Sequence, residues 1–183
     1  MLFRSIPTGA SELGRTVSCA GDLNGDGLAD VVIGSPSMAG VEVYFGSATG
    51  LAATPTSLGV QILGSTLASA GDVNGDGYGD VAGGNQDSPV YVYLGGPGGP
   101  SATPTLLGAT IDAGYEDFGD AIAGAGDVNG DGFADVVVAA EYFDNALGAV
   151  YVFWGSAGGL TPTPTTLFGP GGTVQFFGFS VAN

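Results

Sequence analysis

Gly21-Asp22-Leu23-Asn24-Gly25-Asp26-Gly27-Leu28-Ala29-Asp30 carries oxygen-bearing side chains at positions 1, 3, 5 and 9 of a nine-residue loop and runs straight into the apolar Val31-Val32-Ile33. The arrangement returns at Asp72, Asn74, Asp76 and Asp80 before Val81-Ala82-Gly83, and at Asp127, Asn129, Asp131 and Asp135 before Val136-Val137-Val138. The Gly-Asp opening each copy falls at 21, 71 and 126, so successive copies lie 50 and 55 residues apart. A period near fifty residues is the mark of stacked supersecondary units.

Aligned on the loop, the rest of each repeat reads as four strands. The first precedes the loop, as Leu13-Gly14-Arg15-Thr16-Val17, Leu63-Gly64-Ser65-Thr66-Leu67 and Phe118-Gly119-Asp120-Ala121-Ile122. The second is the run of β-formers after the loop, which suits burial on both faces. The third alternates, with Val41, Val43 and Phe45 on one side and Glu42 and Tyr44 on the other; its relatives are Val90 to Leu94 and Val150 to Trp154. Each third strand ends at a glycine (Gly46, Gly95, Gly155) and is followed by a Gly-rich turn and Thr-Pro-Thr. Proline belongs on a sheet edge, so the fourth strand is expected outermost.

Four-stranded units joined by Gly-rich turns predict an all-β chain of antiparallel β-propeller blades. No segment has a helical period, and 36 glycines oppose helix, each costing roughly 1 kcal/mol relative to alanine in a helix interior. The aromatics Tyr44, Tyr93, Phe153 and Trp154 are expected to pack one blade on the next. The division is 1–12 as a lead-in or outer strand, 13–62, 63–117 and 118–176 as three repeats, and 177–183 as the first strand of a fourth. Three blades and the start of another make an incomplete ring, since propellers usually need four to eight.

The loops carry a second prediction. Calcium takes six to eight oxygens at about 2.3–2.6 Å, and ligands on alternate residues of a tight loop converge on one point. Asp22, Asn24, Asp26 and Asp30, with the carbonyl of Leu28, form one such set; Asp72, Asn74, Asp76, Asp80 and Tyr78, and Asp127, Asn129, Asp131, Asp135 and Phe133, form the others. Three Ca²⁺ sites follow. Magnesium resists such extensive dehydration. The twelfth position holds Ile33, Gly83 or Val138 in place of the EF-hand glutamate, and the exit is a strand. That removes the helix-opening lever of a calcium sensor and leaves a structural clamp.

These residues resemble the FG-GAP repeat, the blade unit of the integrin α-subunit propeller and of many secreted bacterial proteins. The Phe-Gly half stands at Phe118-Gly119 and Phe177-Gly178, with Leu-Gly at 13 and 63. Gly34-Ser35-Pro36 approximates the Gly-Ala-Pro half; Gly84-Asn85-Gln86 and Ala139-Ala140-Glu141 depart from it. The resemblance runs from about residue 13 to the end and implies an extracellular or cell-surface recognition and adhesion propeller.

Composition narrows the alternatives. Of 183 residues 44% are hydrophobic, enough for one medium-sized core. Arg4 and Arg15 are the only basic residues against 18 acidic ones, a net charge of −16, so a nucleic-acid backbone has almost nothing to bind. No apolar run reaches the roughly 18 residues of a spanning helix, and membrane insertion is not expected. There is no histidine, which excludes Ser-His-Asp and Cys-His chemistry. The single Cys19 reads as a small packing residue, and Met1 to Ala10 shows no signal peptide.

The leading expectation is therefore a calcium-stabilised module binding protein or carbohydrate, and no enzyme. An architectural or self-assembling scaffold without a discrete ligand is the alternative. A third reading is a glycoside hydrolase using carboxylates outside the loops, among Glu116, Asp117, Asp120, Glu141 and Asp144. Tyr115, Tyr142 and Phe143 are candidates to stack on a sugar. The missing blades have two explanations, the remainder of a longer propeller or a homo-oligomer such as a dimer of six blades. The duplicated first strand argues against a simple closed dimer, since two segments compete for each slot.

Overall fold

A computed structural model describes residues 13–35, 40–58, 65–85, 89–108, 117–171 and 176–182. Within them each repeat forms one four-stranded antiparallel sheet. The first contains β1 (Thr16–Gly21), β2 (Asp30–Ser35), β3 (Gly40–Tyr44) and β4 (Thr56–Ser57). The second contains β5 (Thr66–Gly71), β6 (Asp80–Gly84), β7 (Val90–Tyr93) and β8 (Thr105–Leu107). The third contains β9 (Ile122–Gly126), β10 (Asp135–Ala140), β11 (Ala149–Phe153) and β12 (Thr165–Phe168). In every sheet spatial order follows chain order, so the segment after Thr-Pro-Thr is the edge strand, as its proline requires. The predicted lead-in at 1–12 lies outside the described residues.

The second strands take the centre of each sheet, and β6 is buried along its whole length. The first strands begin later than the sequence predicts. Leu13 to Arg15 and Phe118 to Asp120 form turns, and the strands start at Thr16 and Ile122. The cause is backbone geometry: Gly14 and Gly119 stand at φ +90° and +91°, a left-handed conformation that turns the chain, whereas the strands' own left-handed glycines, Gly21, Gly40, Gly71 and Gly126, lie at strand ends. At the other end each first strand slips register before its loop, between Cys19 and Gly21, between Ser69 and Gly71, and between Gly124 and Gly126 opposite Val136 and Asp135. This bulge sets the direction in which the Asp loop leaves the sheet.

The hydrophobic cores lie between sheets. Ala20, Leu23, Val32, Val41 and Val43 of the first repeat pack with Val81 and Tyr93 of the second. Val73, Val90, Val92 and Leu107 of the second pack with Phe118, Ile122, Val136 and Phe153 of the third. Two of the expected blade-to-blade aromatics, Tyr93 and Phe153, are thus fully buried in junctions. Tyr44 instead donates to Glu42 at 3.2 Å, and Trp154 Nε1 to Thr165 Oγ1 at 3.1 Å. β1 packs on β5 and β5 on β9, while no comparable packing joins β9 to β1 among the described residues. These are propeller blades in an unclosed ring.

One four-residue helical turn, α1 (Phe143–Ala146), interrupts the β pattern, and Asp144 and Asn145 in it have left-handed φ values of 49° and 60°. The segment 176–182 repeats the turn that opens the third repeat. Phe176 and Gly178 stand at φ 50° and 92° where Asp117 and Gly119 stand at 58° and 91°. Phe179 N donates to Phe176 O at 3.0 Å as Asp120 N does to Asp117 O at 3.1 Å. Among the described residues no helix is long and apolar enough to cross a membrane.

Candidate metal centre

Each loop is organised by its first aspartate. Asp22 Oδ1 accepts from the N–H groups of Gly25 (2.6 Å) and Asp26 (3.1 Å), and Oδ2 accepts from Gly27 (2.7 Å). Asp72 and Asp127 make the same three bonds at 2.7–3.1 Å. Glycines at positions 4 and 6 make this wrap feasible, with φ of 72–93° across the three loops. Desolvation pushes the Asp22 carboxyl up, but the N–H groups of Gly27, Gly25, Asp26 and Asn24 outweigh it and hold it below its ordinary range.

Positions 3 and 5 are brought together beside it. Asn24 Nδ2 donates to Asp26 Oδ2 at 3.2 Å, and the equivalent pairs Asn74–Asp76 and Asn129–Asp131 meet at 2.8 and 2.9 Å. The N–H of position 7 (Leu28, Tyr78, Phe133) donates to the position-5 carboxylate at 2.9–3.0 Å. Position 9 is placed differently. Asp30, Asp80 and Asp135 are fully buried. Asp30 Oδ2 accepts from Leu23 N at 2.8 Å and Oδ1 from Gly46 N at 2.7 Å. Asp80 holds Val73 N and Gly95 N, and Asp135 holds Val128 N and Gly155 N, at 2.7–2.9 Å. One carboxylate thereby ties the start of the loop to the end of the third strand.

Sequence reasoning found these aspartates but missed the second task of position 9. Its signal was present: a glycine ends every third strand, at 46, 95 and 155. Reasoning from sequence also gave position 7 only a carbonyl role. A Cβ on Gly25 would lie 2.5 Å from Tyr78 Cε1, and one on Gly75 2.7 Å from Phe133 Cε1. The position-7 ring of one blade therefore seats on the position-4 glycine of the blade before it.

The donor set fits a hard cation. The side chains at positions 1, 3, 5 and 9 all offer oxygen, and the asparagine oxygen already lies inside the loop, where it accepts from the N–H of position 5. The charges also ask for compensation: burial raises Asp80 to about 6 against the N–H groups of Gly95 and Val73, and Asp76 and Asp72 push it further up. No group of three or more acidic, histidine or cysteine side chains among the described residues is clustered as a preformed metal cage. The loops are closed by hydrogen bonds, with position 9 turned into the blade.

Among the carboxylates outside the loops, Glu116 and the aromatic Tyr115 lie outside the described residues. Glu141 is buried, and its Oε2 has no hydrogen-bond partner. Burial raises its carboxyl, as do the charge and side-chain hydrogen bond of Asp120 and the charge of Asp117. Directly hydrogen-bonded carboxyls leave no room for a sugar, whereas glycosidase pairs stand about 5–9.5 Å apart. A raised folded-state value means that ionising Glu141 costs stability, a cost absent below the unfolded carboxyl value of about 4.3 and incurred as pH rises through the folded one. Glu141→Gln is therefore expected to raise the urea midpoint at pH 7, with the gain vanishing near pH 4; equal midpoints at pH 7 would refute it. Tyr142 meets Phe176 edge-on at 5.4 Å and Phe143 tilts on Phe168 at 5.8 Å, so both are engaged in packing.

With three loops of one pattern, three sheets and core shared between neighbours, the comparison with known proteins is direct. Residues 22–82 match the FG-GAP-like repeat model and residues 118–153 the FG-GAP repeat model. The chain is an FG-GAP repeat protein. Its similarity extends to integrin α subunits: 42% identity over 65 residues with human integrin alpha-6 and 46% over 70 residues with integrin alpha pat-2 of Caenorhabditis briggsae, each covering 36% of this chain. Integrin alpha-4 of Xenopus laevis is 32% identical over 170 residues, 90% of this chain. These alignments span 5%, 6% and 12% of the relatives' own lengths. The FG-GAP assignment thus covers blades, and the relatives are several times larger than what they share with this chain.

Proposed function

We propose that this FG-GAP chain is a calcium-stabilised recognition module that binds protein or carbohydrate outside the cell. The observation that carries the reading is the threefold recurrence of one oxygen-lined loop, with Asp, Asn, Asp and Asp at the same four positions, in a chain with two basic residues. In each loop positions 1, 3 and 5, the position-7 carbonyl and the position-9 carboxylate would hold the ion, with repeats at 13–62, 63–117 and 118–176 and the start of a fourth at 177–183. When bound, calcium supplies the positive charge these loops lack. Affinity typical of extracellular modules would fill the sites only where free calcium is near millimolar. The likeness to integrin α subunits supports adhesion and a cell-surface or secreted setting over catalysis.

The test is a protein and glycan array probed in calcium and again in chelator. Discrete hits that disappear in chelator are expected. A blank array in calcium would sink the recognition reading and leave the architectural scaffold, and hits indifferent to chelator would sink the calcium dependence.

A further inference from the structure

We propose that a metal loop of this chain is completed by the blade that follows it. Tyr78 of the second blade positions the first loop and Phe133 of the third blade positions the second, so each ring sets the calcium affinity of a loop to which its residue gives no ligand. The inference rests on the calcium reading above and adds a side-chain role at position 7, whose part in its own loop is a carbonyl.

The contact falls on the residue that turns the chain between two ligands. Gly25 separates Asn24 from Asp26, stands at φ +78° and donates its N–H to Asp22 Oδ1 at 2.6 Å. A Cβ there would lie 2.5, 3.2 and 3.3 Å from Tyr78 Cε1, Cδ1 and Cζ, so one edge of the ring occupies the place of a side chain. Gly75 separates Asn74 from Asp76, stands at φ +72° and donates to Asp72 Oδ1 at 2.7 Å. Its Cβ would lie 2.7, 3.1 and 3.8 Å from Cε1, Cδ1 and Cζ of Phe133. The same ring edge thus meets the same backbone at two seams. Phe133 has no hydroxyl, so the ring itself is the shared element.

The following blade also fixes the start of the loop. Gly79 N, beside Tyr78, donates to Asp22 O at 2.8 Å, and Gly96 N to Leu23 O at 3.0 Å. Ala134 N, beside Phe133, donates to Asp72 O at 2.9 Å, and Ser156 N to Val73 O at 3.1 Å. These bonds hold positions 1 and 2, and at position 4 the contact is the ring. Glycine there has no side chain to pack and the widest choice of backbone conformations. The ring removes that choice before an ion arrives. Without it the residue between two ligands has to be ordered on binding, and ordering the backbone of one residue weakens affinity by about five- to thirtyfold. A ring that only packed the seam would change stability in chelator and leave affinity as it was.

The test is calorimetric titration of calcium into the whole 183-residue chain with one loop left intact. Asn74→Lys with Asn129→Lys leaves the first loop, and Asn24→Lys with Asn129→Lys leaves the second. Each lysine carries a cation of its own into its loop and spares the bond from the position-7 N–H to the position-5 carboxylate. In the first-loop chain Tyr78→Ala should weaken calcium binding about five- to thirtyfold, and Tyr78→Phe should restore it. The loss should be larger there than in the second-loop chain, although Tyr78 belongs to the second loop. Phe133→Ala in the second-loop chain repeats the experiment at the other seam. Both rings are half-buried, and whichever alanine variant keeps the wild-type circular dichroism decides. First-loop affinity unmoved by Tyr78→Ala, a loss that Tyr78→Phe does not restore, or a loss as large in the second loop overturns the proposal and leaves the calcium reading standing. Parent chains that bind no calcium overturn both.

Discussion

Asp80→Ala is expected to lower the stability of the calcium-free protein by about 2–6 kcal/mol, a large share of the total stability of a domain this size. The carboxylate is fully buried and holds Val73 N and Gly95 N at 2.7 Å each. Truncation strands two buried donors, and leaving each unsatisfied costs about 1–3 kcal/mol. Asp80→Asn keeps one acceptor oxygen and should fall between alanine and wild type. Asp76→Ala provides the contrast, since it removes two side-chain acceptors at the exposed loop surface, of the Asn74 amide and the Tyr78 N–H. In chelator it should cost no more than about 1 kcal/mol. Urea denaturation of the three variants in chelator decides the matter. Equal midpoints for Asp80→Ala and Asp76→Ala would show that position 9 matters only through metal.

Calcium itself is expected to have the larger effect. A ligand at 100 times its dissociation constant stabilises the folded state by about 2.7 kcal/mol per site, so three filled loops approach about 8 kcal/mol, or roughly 15–30 °C in Tm for a chain of this size. Asp76→Ala, nearly silent in chelator, should forfeit about a third of that increment. Position 5 of the first and third loops should behave alike, because the hydrogen-bond pattern around Asp26 and Asp131 repeats that around Asp76. Calorimetry in calcium, in magnesium and in chelator tests the claim. A Tm that does not move on chelation would remove the metal from the account of stability, while the bonds of Asp30, Asp80 and Asp135 to backbone N–H groups would stand unchanged.

The sequence made the blades legible because their signals are local. Loop spacing, β-forming runs and Thr-Pro-Thr edges each act within about ten residues, and they predicted four strands per repeat with the fourth at the edge, as all three sheets have them. What it concealed depends on contacts distant along the chain. Asp30 bonds to Gly46, sixteen residues away, and Asp135 to Gly155, twenty away, and no local spacing reveals such pairs. The first strands were misplaced because Leu-Gly and Phe-Gly look apolar and strand-like, whereas the positive φ of Gly14 and Gly119 puts them in turns. Leu23, Val73 and Val128 are equivalent in sequence, yet one of the three is exposed, since burial there depends on contact with a neighbouring sheet and not on local sequence.

Because the cores fill the spaces between sheets, no blade has an interior of its own among the described residues, and the seam is the real unit of construction. Every seam uses the same donors, acceptors, ring seat and aliphatic contact. Duplicating or deleting a whole repeat would therefore join a familiar face to a familiar face and require no new complementarity to arise. Such a molecule can change length by copying itself, and the number of its blades is open to gene duplication in a way that the chemistry of each junction is not.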